Sequence, residues 1–140
     1  MKTLLCISAI LAAASALAAD SYYDASGRNR GSARSDNSGN TRYYDGSGRY
    51  QGHAQSDKQG NTRYYDASGR NTGHARSNGR GDTSYYDSSG RYAGRAQSDK
   101  SGHTRYYDAS GKYAGHSVRD SSGNVRYYDA SGKYQGTKRP

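Results

Sequence analysis

Along this chain a Tyr-Tyr-Asp cluster returns at a fixed interval, and the segments between clusters alternate between small or apolar and polar positions. The Tyr-Tyr pairs begin at 22, 43, 64, 85, 106 and 127, every 21 residues. Self-similarity at a fixed period is the sign of a repeat architecture. In Arg49 to Ser56, Tyr50, Gly52, Ala54 and Ser56 fall on one face of an extended strand, and Arg49, Gln51, His53 and Gln55 on the other. The first face predicts a buried surface across which neighbouring tyrosines pack, and the second a watered one. On the shorter segment Asn61 to Tyr65, Tyr64 and Tyr65 point to opposite faces, so one enters the core and the other stays half exposed. Asn29 and Asn71 replace the Tyr50-type residue in units one and three, so those units are expected to add less to the core.

Most units also carry two D-x-x-G segments, such as DGSG at 45–48 and DKQG at 57–60. Aspartate at the first turn position bonds the backbone ahead of it. Glycine at the fourth accepts the left-handed conformation of a type I turn with a G1 bulge. Two such turns per unit predict all-β structure. The expectation is about twelve short strands in six repeated β-hairpins, either closed around an axis or stacked as an open array. Closure is favoured because an open array exposes its edge strands.

Composition changes this picture in two ways. Residues 1–18, MKTLLCISAILAAASALA, hold every Leu and Ile, the one Met and the one Cys. Lys2, the apolar run Leu4 to Ala14 and the small-x-small site Ala16-Leu17-Ala18 make a secretory signal, with cleavage expected after Ala18. The apolar run is too short to cross a bilayer. A single repeat domain, 19–140, is then delivered to the periplasm or the exterior. Its only large aliphatics are Val118 and Val125, and all 16 Tyr belong to it. So few aliphatics beside so much charge is the composition of a disordered chain. Fixed registration of turn Asp, turn Gly and Tyr over six units argues instead for a folded stack.

The half-unit GNTRYYDASGRY resembles the Rhs/YD repeat, whose signature runs Gly-Asn, a spacer, Tyr-x-Tyr-Asp-x-x-Gly-Arg and an apolar residue. The match spans Gly60-Asn61 through Asp66 to Gly69-Arg70, and Gly102 through Asp108 to Gly111-Lys112. Here the tyrosines are adjacent, and Tyr or Asn follows Gly-Arg/Lys. The D-x-x-G-[KR]-x-x-G rhythm is similar to small bacterial β-flower proteins, in which hairpins close around an axis. A weaker similarity is to choline-binding repeats, which build their cages with Trp, and this chain has none.

For chemistry, the formal charge of +9 comes from 21 Lys/Arg against 12 acids, all Asp. Nearly every reactive group recurs in several units, whereas an active site needs one asymmetric constellation. A non-catalytic protein without cofactor or metal is therefore expected. His53, His74 and His116 hold equivalent exposed positions, with Ser32, Arg95 and Thr137 in the other units. That broken series reads as solvated polar positions rather than a metal ladder. Arg80-Gly81-Asp82 falls on a turn and reads as a repeat variant. The candidate binding residues are Arg42, Arg63, Arg105 and Arg126 with Tyr44, Tyr65, Tyr107 and Tyr128, basic rows interleaved with aromatics. Such a surface suits an acidic glycan, lipopolysaccharide or another envelope polyanion. Self-association of tyrosine-rich units is the rival role, with charge then serving solubility.

Overall fold

The structure, a computed structural model, describes residues 19–140. Residues 1–18, on which the signal-peptide expectation rests, lie outside them. The described chain forms twelve strands: β1 (Ala19–Asp24), β2 (Asn29–Ser35), β3 (Asn40–Asp45), β4 (Tyr50–Ser56), β5 (Asn61–Asp66) and β6 (Asn71–Ser77). They continue as β7 (Asp82–Asp87), β8 (Tyr92–Ser98), β9 (His103–Asp108), β10 (Tyr113–Arg119), β11 (Val125–Asp129) and β12 (Tyr134–Arg139). All neighbours are antiparallel, each strand pairs with the next in sequence, and β1 pairs with β12. The result is the closed arrangement, a barrel with no free edge. The sixth unit lacks its final half-strand, and Ala19 to Ser21, ahead of the first Tyr pair, supply the strand that completes the ring.

The turns form for the local reasons set out above. In the turn after β5, the Gly69 N–H donates to the Asp66 carbonyl at 3.0 Å, and Asp66 Oδ1 accepts from the Ser68 and Arg70 N–H groups at 2.9 and 3.0 Å. Gly69 has φ +83°, the left-handed conformation that terminates such a turn. The Ser68 hydroxyl bond, followed by the backbone N–H bonds, holds the Asp66 carboxyl below its ordinary range. The opposite rim repeats the pattern, with Asp57 Oδ1 capping Gln59 and Asn61, and Asp57 Oδ2 accepting from Asn61 Nδ2 at 2.8 Å. One rim of the barrel thus carries the D-x-S-G turns, the other the D-x-x-G turns and both ends of the described chain.

The core is built from the first tyrosine of each pair. Across the sheet, Tyr64 has Ala54 on one side and Gly73 on the other. Tyr43, Tyr85 and Tyr106 are likewise set between an Ala and a Gly. The small neighbours leave room for the rings, and Ala33, Ala54, Ala75 and Ala96 are at most 4% exposed. Glycine is required at the second of these contacts. A Cβ on Gly94 would overlap the Tyr107 carbonyl oxygen of the adjoining strand.

One expected feature is different. Tyr50 does not share the face of Gly52 and Ala54 but stands outside, 39% exposed. The register shifts between Tyr43 and Tyr44, so that Tyr43 opposes Gly52 while Tyr44 opposes Tyr50. This β-bulge takes up one residue and reverses the alternation beyond it. The same shift recurs at β8 and β10, so Tyr92 and Tyr113 are exterior too. Asn29 and Asn71 therefore cost the core nothing; they thin the outer surface.

Burial sets the titration of the inner tyrosines. Desolvation pushes Tyr43 and Tyr106 up to about 12, and raises Tyr22, Tyr64, Tyr85 and Tyr127 further, with Asp20 adding to the rise at Tyr22. A phenol whose folded value lies above its unfolded ~10 stabilises the fold fully below pH ~10, and that contribution is lost as pH rises through the folded values. In an alkaline absorbance titration, six phenols should therefore ionise late, together with loss of the barrel's circular dichroism. Ionisation of all 16 in one reversible wave near pH ~10, with the fold intact, would contradict this core.

Candidate functional site

Barrel closure arranges the exterior into six rows that run across four strands each. The most complete is Arg105–His116–Tyr128–Tyr134, each residue the cross-strand partner of the next. Arg63–His74–Tyr86–Tyr92 is its equivalent on β5 to β8, and Arg42–His53–Tyr65–Asn71 on β3 to β6. Between them, Ser84–Arg95–Tyr107–Tyr113 carries its cation one strand further on. Arg126–Thr137–Tyr23–Asn29 crosses the seam, and Ser21–Ser32–Tyr44–Tyr50 lacks a cation at its head. Residues 11 and 12 apart in sequence are brought side by side because each strand and turn has nearly constant length.

Within the rows the side chains are in contact. The imidazoles of His53, His74 and His116 stack nearly parallel on Tyr65, Tyr86 and Tyr128, with centroids 4.7, 4.7 and 4.8 Å apart. These histidines are half-buried and not simply solvated. His53 and His116 also bond the hydroxyls of Tyr50 and Tyr113 through Nδ1 at 2.8 Å. Where a unit has Arg95 instead, its guanidinium lies 4.9 Å from the Tyr107 ring centroid. Arg34, Arg76 and Arg139 sit over Tyr44, Tyr86 and Tyr23 at 5.4, 5.6 and 4.8 Å. Each cation–π contact of this kind contributes ~0.5–1 kcal/mol at an exposed site. Edge-on pairs such as Tyr86–Tyr92, at 6.0 Å, extend the aromatic surface.

All eight residues singled out from sequence lie on this exterior. Arg42, Arg63, Arg105 and Arg126 are exposed, and Tyr44, Tyr65, Tyr107 and Tyr128 are half-buried. Their partnering differs from sequence order. Arg42 shares a row with Tyr65, and Arg105 with Tyr128, whereas the rows of Arg63 and Arg126 hold Tyr86 and Tyr23. Sequence reasoning missed Tyr23, Tyr86, Arg95 and the stacking role of the histidines. The shared phase of His53, His74, Arg95 and His116 was the signal for it. Arg80, in the tripeptide noted above, serves a turn: its N–H donates to Asn78 Oδ1 at 2.8 Å.

Among the described residues no helix is long and apolar enough to cross a membrane. The strands have five to seven residues, short of the ~9–11 that a spanning strand needs, and their outer face is cationic. No protein-family model matches the chain, and no curated protein matches it in sequence.

Proposed function

We propose that this protein is a non-catalytic binding module, exported to the periplasm or cell surface by residues 1–18, that holds an acidic glycan or another envelope polyanion on its outer rows. The observation that carries this reading is the row itself: an exposed arginine at the head of an aromatic strip, in four of the six rows around the barrel. Guanidinium groups pair with carboxylate, sulfate or phosphate, and the tyrosine surface packs against sugar rings. Repetition around the ring presents several weak contacts to one polymer, so affinity grows by multivalency. The rival reading is self-association of the tyrosine-rich exterior, where Tyr50, Tyr92 and Tyr113 stand exposed; oligomerisation that rises with protein concentration and needs no polyanion would favour it.

The test is binding to polygalacturonate and to lipopolysaccharide at several salt concentrations. In the Arg42→Ser/Arg63→Ser/Arg105→Ser/Arg126→Ser variant, four exposed contacts at ~0.5 kcal/mol each should cost about 30-fold in affinity and flatten the salt dependence. Serine already stands at this position in Ser21 and Ser84, so the barrel tolerates the change. Salt-independent binding, or affinity equal to that of the unmodified protein, would end this proposal.

A further inference from the structure

In the barrel lumen the chemical departures from the repeat fall together. Five inward positions recur in each unit. Two never change: the inner Tyr and its Gly neighbour. The other three read Thr, Ala and Ser through most of the ring, as in Thr83, Ala96 and Ser98. On the strands around the seam they become Asp20, Lys138, Ser117, Arg119 and Val125. All the substitutions therefore gather on one wall, formed by β10, β11, β12 and β1. On the outer rows, by contrast, the differences between units are scattered around the ring.

That wall borders a cavity of about 210 Å³ that reaches the D-x-x-G rim. It holds several waters' volume at ~30 Å³ each, so it suits a ligand of about one sugar ring. The wall opposite is lined with hydroxyls from Thr62, Thr83 and Ser98 and from the inner tyrosines. Hydroxyl groups both donate and accept, the complement of a polyol. The Ser117 hydroxyl, absent from the alanine units, bonds Tyr106 at 2.8 Å.

The charges divide into one spent and one open. Lys138 Nζ is paired with Asp20 Oδ2 at 2.9 Å. Arg119 lines the cavity mouth, and among the described residues no carboxylate forms an ion pair with it; its neighbour Asp120 is turned to Arg126 at 3.7 Å. The exposed Arg119 guanidinium beside a hydroxyl-lined cup is the complement of an anion that also carries hydroxyls.

We infer that the lumen is a second binding site, distinct from the outer rows, for a small polyhydroxylated carboxylate such as a monomeric sugar acid, with Arg119 holding the carboxylate. NMR titration of the purified protein with glucuronate is the test. Saturable one-to-one shifts of the Ala96, Thr104 and Ser117 amides are expected, with glucose producing none. Arg119→Ser, which installs the residue found at Ser77 and Ser98, should weaken binding at least tenfold, while Arg91→Ser, in a turn of the opposite rim, leaves it unchanged. Absence of saturable shifts, an equal response to glucose or to inorganic phosphate, or insensitivity to Arg119→Ser would each overturn the assignment. Failure of the outer-row proposal leaves this outcome untouched, since Ala96, Thr104 and Ser117 line the lumen and not the exterior.

Discussion

Replacing Gly94 by alanine is expected to destabilise the barrel by at least ~3 kcal/mol, whereas the same change at Gly90 costs only ~1–2. Both glycines have positive φ, +139° and +79°, so both lose the conformational freedom that suits them. They differ in what surrounds them. A side chain at Gly90 meets open space at the rim, and the penalty there is the left-handed strain alone. A side chain at Gly94 meets the Tyr107 carbonyl and, at 3.3 Å, the Asp108 Cα and carbonyl carbon. Those atoms belong to the backbone of β9 and cannot rotate away. Relief requires parting β8 from β9 where their ladder is anchored, so Tyr106 loses part of its packing as well. Urea unfolding followed at the tyrosine near-UV band measures the two values. Equal costs at Gly90 and Gly94 would show that the inward glycines serve the turn geometry only.

The second large effect belongs to the seam. Asp20 and Lys138 are 118 positions apart, with side chains only 5% and 10% exposed, and they form an ion pair within the lumen wall. Lys138→Ala leaves a buried carboxylate without its partner, a change that costs ~3–5 kcal/mol. Removing both charges is a different experiment. Asp20 stands where Thr41 and Thr62 stand in other units, and Lys138 where Ala33 and Ala54 stand. The double variant Asp20→Thr/Lys138→Ala therefore rebuilds an ordinary unit-to-unit contact and should recover most of the lost stability. Comparing single and double variants by chemical denaturation isolates the coupling. A double variant as unstable as the single one would mean that the pair carries the seam by more than charge compensation. The pair also selects a partner. Asp20 meets a lysine in one unit of the ring, so closure joins the first unit to the sixth.

What the chain disclosed in advance was what short segments decide alone. Turn positions and strand lengths were legible because Asp66, Ser68 and Gly69 settle their geometry within four residues. The division of each Tyr pair into an inner and an outer ring followed from strand alternation. Alternation then failed at Tyr50, since a bulge is decided by how two strands register and not by either alone. The binding residues were found as types and phases, but their rows depend on pairing between strands, so Arg63 was not linked to Tyr86. In the repeat pattern, nothing sets Arg119, Ser117 and Lys138 apart from other differences between units. They gained meaning only once closure placed them with Asp20 on one wall.

The antiparallel ring has a further property. Strands β1 and β12 lie side by side, with Ser21 opposite Arg139, in the relation that any other two neighbours have. Eleven of the twelve junctions are tight local hairpins, which zip early at little loop-closure cost, and the twelfth is the sole long-range step. Topologically the barrel is a necklace whose clasp sits at an arbitrary bead. A permuted chain, opened at any rim turn and bridged between residues 139 and 19, would trace the same ring, with the kinetic bottleneck moved to wherever the new ends met.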